Sequence, residues 1–273
     1  MAKSSKIEWT HHTFNPWWGC IKVSPACVNC YAETWARRIG KSDLWGKTSQ
    51  RRFFSDKHWK EPLRWNKEAE AEGQRKRVFC ASMADVFERR AELNPWRDRL
   101  WQLIEQTPWL DWLLLTKRPQ NFKTYLPWKE LPPNVWLGIT AENQKYFDKR
   151  IEYLLEIPAT VHFLSCEPLL GKIDISQHAD QGINWIIAGG ESGHKSRPMN
   201  PSWVKSLRDQ CREADIAFHF KQWGHWGPQE PSSNRRTSTI IVSDRDEETV
   251  LFGLGKGKAG RMLDGVTWDE LPI

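Results

Sequence analysis

Six cysteines occur in the 273-residue chain, and three of them fall within eleven positions, in the stretch GCIKVSPACVNCYAE at 19–33. Cys20, Cys27 and Cys30 stand at the spacing C-x6-C-x2-C. A thiolate is a nucleophile and a soft metal ligand, so clustered thiols point to metal or redox chemistry. A structural zinc site takes four ligands, and His11, His12 or Cys166 is the available fourth donor. No partner pair at finger spacing follows. Three thiolates also suit a cubane 4Fe–4S cluster, which leaves one iron open for a small-molecule ligand. Gly19 loosens the entry to the loop, Pro25 shapes its middle, and a helix is predicted from Asn29 onward. The unpaired N–H groups at that helix start favour thiolates nearby. The other cysteines read differently. Cys80 lies in an apolar run and Cys211 in a helix, both as packed small hydrophobes. Cys166 sits at a strand end beside Glu167, at or just beneath a predicted pocket.

The loop needs a scaffold, and the rest of the chain has the rhythm of one. Short apolar runs end in polar residues: RVFCASMAD (77–85), WLLLTKRP (112–119), VWLGITAEN (135–143), HFLSCEPL (162–169), WIIAGGESG (185–193) and AFHFKQWG (217–224). Each is brief and rich in β-branched or aromatic residues, as strands buried on both faces are. Helical segments separate them. NPWRDRLWQLIEQ places Asn94 as N-cap and Pro95 at the first helical position; NPSWVKSLRDQCREA repeats the start with Asn200 and Pro201. ENQKYFDKRIEYLLEI (142–157) supplies another. With a first strand near Ile7–Phe14, the alternation predicts an α/β fold, a full or partial (β/α) barrel of parallel strands. A doubly wound open sheet is the competing arrangement.

The strand ends carry Ser82 and Asp85, Thr116 and Lys117, Thr140 and Glu142, Ser165 and Glu167, Glu191 and Ser192, Lys221 and Gln222. Ligands of parallel α/β folds sit at the carboxyl ends of strands, so these groups are expected to surround one polar pocket. As helix caps and turn residues the serines and threonines are accounted for; Lys117, Glu167, Glu191 and Lys221 are less so. The boundaries predicted are a barrel domain over 1–224, interrupted at about 40–76 by a basic, Trp-rich, irregular insertion, and an extension over 225–273 that closes the barrel. The glycine run FGLGKGKAG in that extension has no Walker pattern and reads as a flexible closing loop.

Charge is uneven. The chain is +6 overall, yet residues 1–92 hold 18 Lys or Arg against 11 Asp or Glu, a balance of +7. Eighteen tryptophans exceed what core packing alone explains comfortably. Basic groups interleaved with indoles suit nucleic acid, phosphates pairing with cations while bases stack. SQRRFFSDKHWKEPLRW (49–65) is the densest stretch, with Arg51, Arg52, Lys57 and Trp59 as candidate contacts; an amphipathic cover over the barrel is the alternative. The N-terminus lacks the apolar segment of a signal peptide, and no apolar run is long enough to span a membrane, so a cytoplasmic protein is expected.

TFNPWWGCIKVSPACVNCYAE, LLLTKRP, LSCEPLLG, IIAGGESG and FKQWG together resemble the phage Gp37/Gp68 family, a DUF5131-type group with a three-cysteine motif. Through that group the chain resembles radical S-adenosylmethionine enzymes. The resemblance implies a full or partial (β/α) barrel whose three-cysteine loop, after the first strand, binds a 4Fe–4S cluster. It implies that the open iron chelates S-adenosylmethionine and that one-electron reduction, by a flavodoxin- or ferredoxin-type partner, yields a 5′-deoxyadenosyl radical that abstracts hydrogen from the substrate. The usual superfamily spacing is C-x3-C-x2-C, and an aromatic usually precedes the third cysteine where this chain has Asn29, with Tyr31 following. A Gly-Gly-Glu motif normally ends the second strand; here Gly189-Gly190-Glu191 comes several strands later, and the second strand offers Ser82 and Asp85. The carry-over is therefore to Cys20, Cys27 and Cys30 as cluster ligands. Strand-end position supplies the rest: Ser82, Asp85, Thr140, Glu142, Glu167 and Glu191 toward the cofactor, and Cys166, Lys117 and Glu167 toward catalysis. A metal-containing nucleic-acid-binding phage protein without enzymatic activity, holding iron–sulfur or zinc, is the competing class.

Overall fold

The computed structural model describes residues 5, 7–193, 195–231, 237–244 and 247–272. The chain divides into two compact units. The first comprises 1–24, 32–139 and 150–162, and the second 25–31, 140–149 and 163–273.

In the first unit, β1 (His12–Thr13) is followed by α1 (Tyr31–Arg38), α2 (Asp56–Trp59), α3 (Glu61–Glu72), β2 (Lys76–Cys80), α4 (Asn94–Glu105), β3 (Leu110–Thr116), α5 (Phe122–Tyr125), β4 (Val135–Thr140) and α6 (Gln144–Leu155), the first residue of α1, the last of β4 and the first half of α6 falling in the other unit. The strands pair in parallel, His12 opposite Val78, Val78 opposite Trp112 and Trp112 opposite Val135. In the second unit, β5 (His162–Cys166), β6 (Trp185–Gly189), α7 (Pro201–Glu213) and β7 (Ala217–Gln222) continue the pattern, with Phe163 opposite Trp185 and Trp185 opposite Ala217. The sheet order is β1-β2-β3-β4-β5-β6-β7. A doubly wound sheet reverses its order at a switch point, whereas strands in unbroken chain order belong to the (β/α) barrel type. The expected α/β fold is the observed one.

The strands form where continuous apolar runs allow burial on both faces. Every residue of β4 and β6 is buried, and six of the seven in β3. Asn200 caps α7 as expected, its Oδ1 accepting from the Ser202 N–H at 2.9 Å. Asn94 does not cap α4. A 3-10 turn over Ala91–Leu93 runs directly into the helix, so Asn94 is already helical and its Oδ1 accepts from Arg97 instead.

The insertion at 40–76 is less irregular than its composition suggests. Residues 56–72 form α2 and α3, and α3 buries Pro62, Trp65, Asn66 and Ala69 on one side. Gly73 ends it with φ 63°, its N–H reaching Glu70 O while Gln74 N–H reaches Ala69 O. Many indoles are core after all: Trp9, Trp17, Trp65, Trp112 and Trp185 are among the largest fully buried side chains. The residues after 224 lie within the second unit, as an antiparallel sheet of β8 (Trp226–Gly227), β9 (Thr239–Asp244) and β10 (Glu247–Gly253), then α8 (Lys256–Ala259) and the pair β11 (Met262–Leu263) and β12 (Val266–Thr267). The glycine run is thus the end of β10 and the helical turn α8. Among the described residues no helix is long and apolar enough to cross a membrane.

The exit of β6 fixes two glycines. A register shift falls between Ala188 and Gly189, which re-aims the residues that follow. A Cβ on Gly189 would stand 2.8 Å from Glu167 Oε1, and one on Gly190 would collide with the Trp223 backbone carbonyl. Gly257, in α8, has open space around it. Gly190→Ala is therefore expected to destabilise by about 3 kcal/mol, because backbone rather than a movable side chain must yield. Gly257→Ala is expected to stabilise by about 0.5 kcal/mol through the unfolded chain. Urea midpoints check both, and equal effects would contradict the close-approach reading.

Candidate functional site

The cysteine loop has one arm in each unit, and each arm has its own anchors. In the first unit the chain leaves β1 through a buried stretch to Gly19 (φ 110°), where a Cβ would meet the Leu44 carbonyl and the Arg51 side chain. Cys20 follows. Its carbonyl accepts from Gly46 N–H at 3.1 Å, and its Sγ stands 3.6 Å from Arg118 Nη1. Arg118 Nη2 donates to Ile21 O at 2.6 Å and Nη1 to Asp85 Oδ2 at 2.7 Å. Burial pushes the Cys20 thiol up to about 12, against the pull of the Arg118 charge.

Asp85 is saturated. Besides Arg118, its carboxylate accepts from Thr116 Oγ1 at 2.7 Å, Phe87 N–H at 3.0 Å and Lys117 N–H at 3.2 Å. Burial alone would raise its pKa, but Arg118 and these donors hold it below the usual carboxylate range. Asp85, expected as a cofactor contact, ties the exit of β2 to that of β3. Ser82 is tied similarly, its Oγ accepting from Asn15 Nδ2 at 3.0 Å while Asn15 Oδ1 accepts from Met83 N–H at 2.6 Å. Lys117 is half-buried, with no ion-pair partner for its ammonium among the described residues.

In the second unit, a 3-10 turn over Pro25–Cys27 carries the other arm. The Ala26 N–H donates to Glu142 Oε1 at 3.3 Å, so this fully buried carboxylate meets the loop backbone. Glu191 accepts from Asn29 Nδ2 at 2.9 Å and from Arg197 through N–H at 2.8 Å, Nε at 3.0 Å and Nη2 at 2.5 Å. Arg197 Nη2 also donates to Pro25 O at 3.0 Å. Burial would raise the Glu191 pKa, and the Arg197 and Asn29 hydrogen bonds outweigh it and lower it. Glu167 pairs with Lys221 Nζ at 3.0 Å, both half-buried, and Thr140 is buried at the end of β4. Cys166 is completely buried, and burial drives its thiol well above the ordinary range. Its thiol is packed beneath the surface at the end of β5, not open to solvent.

The proposed nucleic-acid contacts divide. Arg51 is buried and paired with Glu88, Nη2 to Oε1 at 2.6 Å, with further hydrogen bonds to the Leu44 and Ser49 carbonyls. Trp59 is also buried, packed edge-on against Phe14. Neither can meet a strand, because the interior holds both. Arg52 and Lys57 remain half-buried and exposed respectively.

Arg118 and Arg197 were not among the residues expected at the site. The sequence places each within a strand-exit motif, LLLTKRP and IIAGGESG onward, but a guanidinium that turns to a carbonyl far along the chain shows no local signal. The thiols a cluster would need are reachable: none of the six cysteines is in a disulfide, and Cys20, Cys27 and Cys30 are partly exposed whereas Cys80, Cys166 and Cys211 are buried. Among the described residues no three His, Cys, Asp or Glu side chains converge as a finished metal shell. A zinc set completed by His11 is disfavoured, since its Nδ1 already accepts from Arg77 N–H at 2.9 Å.

The Glu191 tether makes a pH prediction. With its folded pKa depressed below the ordinary 4.5, its ionised form contributes stability fully above that value and loses it as pH falls through the folded pKa. The melting-temperature gap between the natural chain and Glu191→Gln should be constant above about pH 6 and narrow below about 4.5. A gap that widens on acidification would contradict the tether.

No curated protein matches the chain. Among solved structures, it is similar to a cysteine-to-serine variant of spore photoproduct lyase, with TM-score 0.48 and 13% identity over 91% of this chain and 70% of that one. It is similar also to a doubly substituted variant of that protein with bound AdoMet and dinucleoside spore photoproduct, with TM-score 0.47 and 12% identity over 92% and 70%. A family model described as "Protein of unknown function (DUF5131)" matches residues 4–272, and the chain belongs to that family.

Proposed function

We propose that the chain is a radical S-adenosylmethionine enzyme that modifies or repairs a nucleic-acid substrate. The observation that carries the reading is the state of the cysteines. The three cysteines of the C-x6-C-x2-C loop are partly exposed and outside any disulfide, on a loop that follows the first strand of a parallel sheet in chain order, while the other three are buried. The resemblance to the phage Gp37/Gp68 group and, through it, to radical enzymes agrees with that placement.

On this reading Cys20, Cys27 and Cys30 hold a 4Fe–4S cluster. When bound, the cluster and S-adenosylmethionine supply one-electron reductive cleavage and hydrogen-atom abstraction. The protein's own residues do the rest. Arg118 orients the Cys20–Ile21 segment through one sulfur contact and one carbonyl. Glu142, Glu191 and Arg197 hold the backbone that carries Cys27 and Cys30. Lys117 keeps an ammonium for a carboxylate or phosphate, and the Glu167–Lys221 pair at the ends of β5 and β7 presents both charges for polar groups of the cofactor. A flavodoxin- or ferredoxin-type protein is the class of reductant required.

With dithionite and S-adenosylmethionine, the reconstituted protein is expected to release 5′-deoxyadenosine slowly even without substrate. The variant with all three loop cysteines changed to alanine should release none. Absence of product from wild type whose cluster is spectroscopically reduced would sink the proposal.

A further inference from the structure

Two residues before Cys20, Trp18 pairs with Arg52 across an antiparallel bridge, with N–H to O distances of 2.9 and 3.0 Å. This joins the insertion to the first arm of the loop, within one unit. The side chains of the segment 51–54 go separate ways. Arg51 turns inward to Glu88, while the Arg52 guanidinium lies 4.5 Å from the Trp18 ring centroid and 5.3 Å from that of Phe54. Phe53 stacks on Trp96 at 4.5 Å with planes 8° apart, and Trp35 meets Trp18 edge-on at 5.1 Å.

Trp35 is 44% exposed and Phe53 36%, so both rings are fixed from behind yet open to solvent. A ring already held needs little ordering to stack on a ligand. Arg52 has its face on aromatic rings and, among the described residues, no carboxylate partner, which leaves its N–H edge for an anion. Exposed Lys47 and Lys57 likewise have no ion-pair partner there. An acidic protein partner would be met by cations around an apolar centre. Here the planar Arg52 cation lies on Trp18, the ring that also holds exposed Trp35, and is the chain neighbour of exposed Phe53, in a region of balance +7, which matches alternating phosphates and bases.

We propose that Trp35, Arg52 and Phe53 form a binding surface for single-stranded nucleic acid beside the Cys20 arm. Bases stack on Trp35 and Phe53 while Arg52, Lys47 and Lys57 take phosphates. The proposal deepens the nucleic-acid reading above and rests on it for its place in the reaction, but binding needs no cofactor.

The test is fluorescence anisotropy of a labelled 15-nucleotide oligothymidine with the full, cluster-free chain, titrated at several salt concentrations. Affinity should fall linearly in log–log salt, and Arg52→Gln should lower that slope by about 0.7, one single-strand phosphate contact. Trp35→Ala and Phe53→Ala should each weaken binding about tenfold or more with unchanged melting temperature. Heparin, a polyanion without bases, should be insensitive to the two ring variants. No binding by wild type at 50 mM salt, or oligonucleotide binding unaffected by all three changes, would overturn the surface. So would equal loss for heparin in the ring variants. Binding without 5′-deoxyadenosine release would retain the surface and reject the radical reading, and release without binding would do the reverse.

Discussion

Each arm of the cysteine loop is held by a carboxylate–guanidinium pair at the carboxyl end of a parallel strand. Asp85 and Arg118 do this in the first unit, Glu191 and Arg197 in the second. In both, the arginine uses a further N–H on a loop carbonyl, Ile21 O or Pro25 O. Burial makes the Asp85–Arg118 pair decisive, whereas the Arg197 side chain of the second pair stays 33% exposed. A buried carboxylate without its partner is an uncompensated charge, and breaking such a pair typically costs about 3–5 kcal/mol. The loop has almost no regular structure beyond one 3-10 turn, so several of its backbone groups, among them Ile21 O, Pro25 O and Ala26 N–H, find side-chain partners.

That arrangement changes how the strand-end polar residues are understood. Parallel strands present their terminal side chains at one end of the sheet, where ligands bind. Here several of these groups first serve the loop and its neighbours: Asp85 takes four donors, Ser82 holds Asn15, and Glu142 holds Ala26. The glycines at β6 serve the same end. Gly189 and Gly190 admit Glu167 and the Trp223 carbonyl where any Cβ would intrude. Charge pairs fix the two arms of the cysteine loop, and close backbone approach fixes the exit of β6.

The fold was legible because buried parallel strands are continuous apolar runs, and β3 through β6 announce themselves that way. The Asn200–Pro201 start of α7 was legible for a similarly local reason. Where a partner lies far along the chain, local reading failed. Arg51 looked like a phosphate contact beside Arg52, but Glu88, 37 residues away, draws it inside. Arg118 carries no local mark of its role, because its sulfur contact spans 98 residues. The helices α2 and α3 were obscured by charge and tryptophan in a segment read as irregular, and the cap at Asn94 was lost to a preceding 3-10 turn that only tertiary packing decides. Cys166 shares the strand-end position of the other polar candidates, and its complete burial is visible only in the fold.

The central claim is that the three loop cysteines are ligands of a cluster with one open iron. Anaerobic reconstitution with iron and sulfide, followed by elemental analysis and Mössbauer spectroscopy, tests it directly. The account predicts about four irons per chain in wild type, with one iron site altered on adding S-adenosylmethionine. A single tightly bound zinc with no iron uptake, or four irons unaffected by S-adenosylmethionine, would contradict it.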